Sequence, residues 1–297
     1  MVSRSESAQP AETTSSALQI YLLGSPAAMW AGQPLAVPRR QVRALLYRLA
    51  AHLQPVPREH LCFLFWPDTP ECLCHRQLSH LLTHLRLSLP APEVLLDTDD
   101  HVGLDLHRVW SDAAAFLRLR ATPEPQRQTT AVQQALDLYR GPFLTGFSLP
   151  NSPEFESWVA MERQSCERLY LEALLSMIEE QTARGAYDDA IAYAQRYLAT
   201  DDLAEEVHSR LMVLYAVTGN RCAALRQFER CVAVLERELG ISPQPETRAI
   251  HQAVLEGRPP LQGFRLYTRA WRVLEQAEAK ADNTNYPKLC QHYLDAD

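Results

Sequence analysis

The sequence predicts a mainly α fold with a small β component: a winged helix-turn-helix domain followed by an all-α, tetratricopeptide-like helical repeat domain. Two observations carry this. In the first half, short strand signals precede three helical periodicities and a hairpin signal. In the second half, Gly185 and Gly219 stand 34 residues apart, as do Ala190 and Ala224, and Ile191 and Leu225. That is the period of the tetratricopeptide helix-turn-helix unit. A solenoid of such units offers a surface, not a catalytic pocket.

Residues 1–16 are polar, rich in Ser, Thr and Ala, and lack the apolar core of a secretion signal, so they read as a disordered arm. The first domain then covers 17–120. Leu18 to Leu23 reads as a short strand stopped by Gly24-Ser25-Pro26, and a second extended piece runs to Trp30 before the turn Ala31-Gly32-Gln33-Pro34. After Pro38, Val42, Leu45, Leu46, Leu49 and Leu53 recur at helical spacing and predict a helix over 39–53. A second helix is expected over 58–65, ending at Trp66-Pro67-Asp68, and a third over 71–88. Cys74, Leu78, Leu81, Leu82, Leu85 and Leu89 form the buried stripe of the third, leaving His75, Arg76, Ser79, His80, Thr83 and Arg86 outward or at its flank. Val94-Leu95-Leu96 and Val102 to Leu106 flank Asp99-Asp100-His101 as a hairpin.

Strands, three helices and a hairpin, in that order, make a winged helix-turn-helix, whose third helix lies in the major groove of double-stranded DNA. On that reading Arg76, Gln77, His80, Thr83 and Arg86 meet the groove, and Arg39, Arg40 and Arg43 at the first helix start hold phosphates. Two features pull the other way. His75, His80 and His84 occupy much of the third helix, supplying hydrogen bonds but little counterion release when neutral. Asp97, Asp99 and Asp100 make the hairpin acidic where it approaches a phosphate-lined groove. They motivate an alternative: an interaction scaffold or ligand-responsive module whose winged helix no longer binds DNA.

The second domain, 121–257, is the repeat. Gly185 and Gly219 allow tight turns, and Ala190 and Ala224 let helices approach closely. Tyr170, Leu174, Leu175 and Ile178 stripe the helix before the first turn; Val207, Leu211, Leu214 and Tyr215 stripe the one before the second. Lone helix histidines such as His208 and His251 read as structural or surface groups rather than ligands, and Trp158 reads as core. Beyond Pro259-Pro260 a tail over 258–297 is expected to be helical from Phe264 to Ala281.

Net charge is −7, but it is unevenly spread. Residues 17–120 carry ten arginines against nine acids, and 121–257 carry twelve arginines against twenty acids. A polyanion would choose the first part, whereas the acidic repeat suits a basic protein surface. Seven cysteines form an odd set at largely apolar positions and suggest reduced thiols; Cys72-Leu73-Cys74-His75 lacks the paired spacing of structural zinc sites, so no metal is expected. Phosphate loops, nucleophile elbows and HExxH helices do not occur, which points away from an enzyme and from any cofactor. With no apolar run approaching the ~20 residues of a membrane span, a cytoplasmic location is expected.

The blocks Arg40-Gln41-Val42-Arg43-Ala44-Leu45-Leu46, Leu64-Phe65-Trp66-Pro67-Asp68 and Trp110-Ser111-Asp112-Ala113-Ala114-Ala115-Phe116 resemble the OmpR-type winged helix of SARP-type transcriptional activators. Downstream, Tyr139-Arg140-Gly141-Pro142-Phe143-Leu144, Pro153-Glu154-Phe155-Glu156-Ser157-Trp158, Gln227-Phe228-Glu229-Arg230-Cys231 and Glu238-Leu239-Gly240-Ile241-Ser242-Pro243 are similar to the bacterial transcriptional activation domain of that family. The resemblance covers 18–256. It implies promoter DNA as one partner, RNA polymerase or another protein as a second, and possible self-association.

Overall fold

The computed structural model describes residues 18–121 and 129–258. The expected arm over 1–16 and the expected helix over 264–281 lie outside these residues. The chain divides into two compact units, Met1–Tyr170 and Leu171–Asp297.

The first unit opens with β1 (Leu18–Tyr21), which places Leu18 and Ile20 in the core by strand alternation. It pairs antiparallel with β2 (Ala27–Trp30), which pairs with β3 (Gln33–Pro34). Helix α1 (Arg40–Ala50) buries Val42, Leu45, Leu46 and Leu49 along one stripe. It ends three residues earlier than expected, and Leu53, at φ 54°, lies in the turn beyond it. Strand β4 (Val56–Pro57) leads into α2 (Arg58–Phe65) and α3 (Glu71–Ser88), both with the expected bounds. A single 3₁₀ turn (Pro92–Val94) introduces the hairpin β5 (Leu95–Asp97) and β6 (His101–Leu104). These form a second small sheet in the order β4-β6-β5.

Strand β7 (Val109–Ser111) returns to pair parallel with β1, completing the order β3-β2-β1-β7. The Asp112 carboxylate at the start of α4 (Asp112–Ala121) is 1% exposed and accepts hydrogen bonds from the backbone N–H groups of Leu22, Leu23 and Ala113 and from the Arg140 guanidinium. Burial pushes its carboxyl above the usual range, and those donors offset only part of that. The carboxylate thereby pins the end of β1 to the start of α4.

Helix α5 (Thr129–Leu138) follows, then a segment that sequence periodicity did not reveal. Gly24 N–H donates to the Pro142 carbonyl, and Leu144 and Thr145 N–H donate to the Leu22 and Gly24 carbonyls, so 142–145 runs alongside the extension of β1. From there an aromatic cluster forms. Phe155, on the first turn of α6 (Pro153–Arg184), is fully buried, with its ring 5.7 Å from Phe65 of α2, 5.3 Å from Trp158 and 6.2 Å from Phe147. Phe147 in turn meets Tyr47 of α1 edge-on at 5.1 Å. Beside this cluster Glu162 accepts from Trp158 Nε1 and lies 2.8 Å from His52 Nε2. Burial alone would raise the Glu162 carboxyl, but the His52 and Trp158 hydrogen bonds and the nearby Arg48 hold it below the usual carboxylate range.

The second unit contains the rest of α6, then α7 (Tyr187–Thr200), α8 (Glu205–Val217), α9 (Arg221–Leu239) and α10 (Pro245–Glu256). Gly185 and Gly219, at φ 79° and 80°, make the left-handed turns between α6 and α7 and between α8 and α9. Ala190 and Ala224 are fully buried, as close helix approach requires. Met212, Val213, Val217, Ala224, Ile250 and Val254 form a core to which α10 contributes the last two.

His208 is buried within this unit. Gln227 Nε2 lies 2.6 Å from its Nδ1, and its Nε2 lies 2.9 Å from the Asp202 carbonyl. The carbonyl can only accept, so Nε2 carries the proton and Nδ1 accepts from Gln227: the ring is neutral. Burial pushes its pKa below the usual histidine value, against the raising effect of the Asp202 carbonyl. Cys62, Cys72, Cys74, Cys166 and Cys231 are free thiols, all but Cys72 buried.

Two outcomes follow from this packing. Phe155→Ala removes the centre of the aromatic cluster and should destabilise the protein by about 3–5 kcal/mol in urea unfolding. His208 has its folded pKa depressed, so the unfolded chain binds more protons in acid; the stability it contributes is full above 6.5 and is lost as pH falls below that value. Melting temperatures at pH 7.5 and 5.5 should therefore drop more for wild type than for His208→Gln.

Candidate nucleic-acid interface

Helix α3 is amphipathic by construction. Leu78, Leu82 and Leu85 are fully buried, with Cys74 and Leu81 nearly so, and this ridge seats α3 against α1 and α2. Arg76, Gln77, His80 and Thr83 are exposed on the other side. Thr83 Oγ1 donates to the Ser79 carbonyl one turn back at 2.9 Å. That leaves the hydroxyl's lone pairs facing outward.

The polar face carries two strips. Gln77, His80 and His84, with Leu81 beneath, line a groove of about 590 Å³ whose opposite wall is Arg39, Arg40, Gln41 and Val42 at the start of α1, with Trp66 at one end. The structure thus brings Gln77 and His80 together with Arg39 and Arg40, over 30 residues away in sequence. Helix α1 has no acid in its first turn and no side-chain cap, so the backbone N–H groups beside Arg39 and Arg40 add positive potential to that wall.

The second strip, Arg76, Ser79, Thr83 and Arg86, runs along the side nearer the hairpin. Here the expected role of Arg86 as a groove contact meets a competing partner. Its guanidinium donates to Asp97 of β5, which also accepts from Arg58 at the start of α2. Arg58 further donates to Ser79 Oγ at 3.3 Å. Arg86 is therefore a link between α3 and the hairpin, its charge already engaged.

The three expected phosphate anchors also separate. Arg39 is exposed. Arg40 donates to Ser148 Oγ at 3.1 Å, with its guanidinium 5.6 Å from the Phe147 ring. Arg43 is half-buried, 5.9 Å from the same ring, and its Nε has no hydrogen-bond partner. Residues 147–148 thus engage two of the arginines, and no such contact was legible from the local cluster alone. Periodicity does identify one missed residue: His84 lies seven residues after Gln77 and four after His80, on the same helix face.

Cys72 and Cys74 point to opposite sides of α3, Cys72 exposed and Cys74 buried, which separates the Cys72-Leu73-Cys74-His75 run as a ligand set. Burial pushes the Cys74 thiol up to about 12, with the neighbouring Cys62 adding to the shift. Among the described residues no three His, Cys, Asp or Glu side chains gather as a metal site. No helix among them is long and apolar enough to cross a membrane.

Comparison with known proteins agrees with this architecture. Residues 104–255 match the family model of the bacterial transcriptional activator domain. The regulatory protein AfsR of Streptomyces coelicolor is 23% identical over 258 residues, 84% of this chain and 25% of AfsR. AfsR of Streptomyces griseus is 23% identical over 82% of this chain and 25% of its own length. The chain thus spans about a quarter of the curated relatives it matches. Among solved structures, Mycobacterium tuberculosis EmbR, in complex with a low-affinity phosphopeptide, superposes with a TM-score of 0.58 at 19% identity, over 90% of this chain and 72% of EmbR. That likeness shows the fold.

Arg39 and Arg40 are neighbours with different surroundings, which a stability measurement separates. Arg40→Ala loses the Ser148 hydrogen bond and the Phe147 contact and should cost about 1 kcal/mol in denaturant unfolding. Arg39→Ala should stay within about 0.5 kcal/mol of wild type, as an exposed substitution does.

Proposed function

The chain belongs to the bacterial transcriptional activator domain family and is a SARP-type transcriptional regulator, and we propose that it activates transcription by gripping double-stranded promoter DNA with residues 17–120. In this reading α3 enters the major groove. Arg76, Gln77, His80 and Thr83 meet base edges, and Arg39 and Arg40 beside the start of α1 hold a backbone phosphate. The acidic helical repeat over 121–257 contacts RNA polymerase or another basic protein surface, or a second copy of the chain, in the cytoplasm.

One observation carries this reading: the apolar ridge of α3 is sealed against α1 and α2, while its polar face stays exposed beside a groove with two arginines on its far wall. A helix face presented in this way, next to cations at a helix start, suits a duplex in which base edges are flanked by phosphates. The scaffold alternative draws on Asp99 and Asp100, both exposed at the hairpin turn. Their charges oppose insertion of that turn between phosphates.

A salt-controlled mobility-shift assay on duplexes enriched from a random library tests the reading. Arg76→Ala should weaken specific binding by about 1–3 kcal/mol, and unchanged affinity removes Arg76 from the site. A scaffold shows no specific binding to any duplex.

A further inference from the structure

Arg58 sits where the hairpin, α2 and α3 converge, and it bonds to each. Its backbone N–H donates to the Asp100 carbonyl at 2.8 Å. Its guanidinium donates to the Asp97 carboxylate, to the Thr98 carbonyl at 3.4 Å and to Ser79 Oγ on α3 at 3.3 Å. Asp97 uses its other oxygen to accept from Arg86, in the last turn of α3. The Arg58 and Asp97 side chains keep only 13% and 15% of their surface exposed, so the pair is shielded from solvent and salt in a way that a surface ion pair is not.

The hairpin needs such a clamp. Its turn is closed locally: Thr98 N–H donates to the His101 carbonyl at 2.9 Å, and His101 N–H to Thr98 Oγ1 at 3.1 Å. Its sheet is small, with β4 contributing two residues and β5 three. Sheets this short rely on side-chain contacts to fix their angle against a neighbouring helix. Arg58 and Arg86 reach the hairpin from two ends of the α2–α3 pair, through a planar fork that matches the carboxylate.

We propose that Arg58 is the positioning residue that sets the hairpin against α3, with Asp97 as its anchor, so that an acid on the DNA-facing side strengthens binding. The proposal rests on the DNA-binding reading above. It assigns opposite roles to residues two positions apart. Asp97 is neutralised by two guanidiniums and orients the wing, whereas Asp99, exposed at the turn, repels phosphate.

The sign of the effect separates positioning from charge. With the full chain and the highest-affinity duplex recovered by wild type from a random 30-base-pair library, Asp97→Asn should weaken binding roughly tenfold, although it removes a negative charge. Asp99→Asn, the charge control, should tighten it. Hydroxyl-radical footprints should lose the protection next to the major-groove contact in Asp97→Asn and keep the central protection made by α3; Arg58→Gln should give the same pattern. Binding by Asp97→Asn as tight as wild type or tighter overturns the proposal, and so does uniform loss of all protection, which marks a general folding defect. If the wild-type chain enriches no duplex, the DNA-binding reading itself fails and the proposal falls with it.

Discussion

The burial of Phe155 among Phe65, Phe147 and Trp158 is the contact on which the first unit depends. An aromatic side chain buries on the order of 150–250 Å², so a cluster of this kind outweighs any surface ion pair in the unit. Through Phe65 it reaches α2, and through Phe147 and Tyr47 it reaches α1. These two helices form the seat of the α3 leucine ridge. With the ridge committed inward, helical periodicity leaves Arg76, Gln77, His80 and Thr83 no position but outward. The aromatic cluster thereby holds the two helices against which the polar face of α3 is set outward.

Charge is used differently in the two halves of that surface. On the α1 side the arginines are loosely held: Arg39 is exposed, and Arg40 shares a hydroxyl and an aromatic face. A phosphate competes readily for such groups. On the hairpin side the guanidiniums of Arg58 and Arg86 are committed to Asp97. A shielded carboxylate with two cationic partners is costly to break and fixes geometry more than it attracts ligand. The same distinction applies in the second unit, where neutral His208 bridges Gln227 and the Asp202 carbonyl as a structural group.

Elements with strong periodicity were legible in the sequence. The bounds of α2 and α3 follow from Pro57, Pro70 and the leucine spacing, and the repeat follows from two glycines and two alanines at a fixed interval. Contacts that join residues distant in sequence were not. Nothing local to Phe143 to Ser148 states that this segment runs beside β1 and engages Arg40 and Arg43, because no period or cap encodes it. The same holds for Arg86. Helical spacing places it correctly on the polar face, but its partner Asp97 lies across a turn and on another element, so the local reading assigned it to DNA when the fold had already paired it. Spacing alone did contain His84, through its register with Gln77 and His80.

The account stands on α3 meeting a duplex through its exposed polar face. A photoreactive amino acid placed in the full chain at Gln77 or Thr83, and at Glu256 of α10 as reference, measures this directly on duplex recovered by selection. Crosslinks to bases from the two α3 positions, with none from Glu256, are the predicted result. Crosslinks absent from α3 while the duplex is bound, or equal from all three positions, would contradict it.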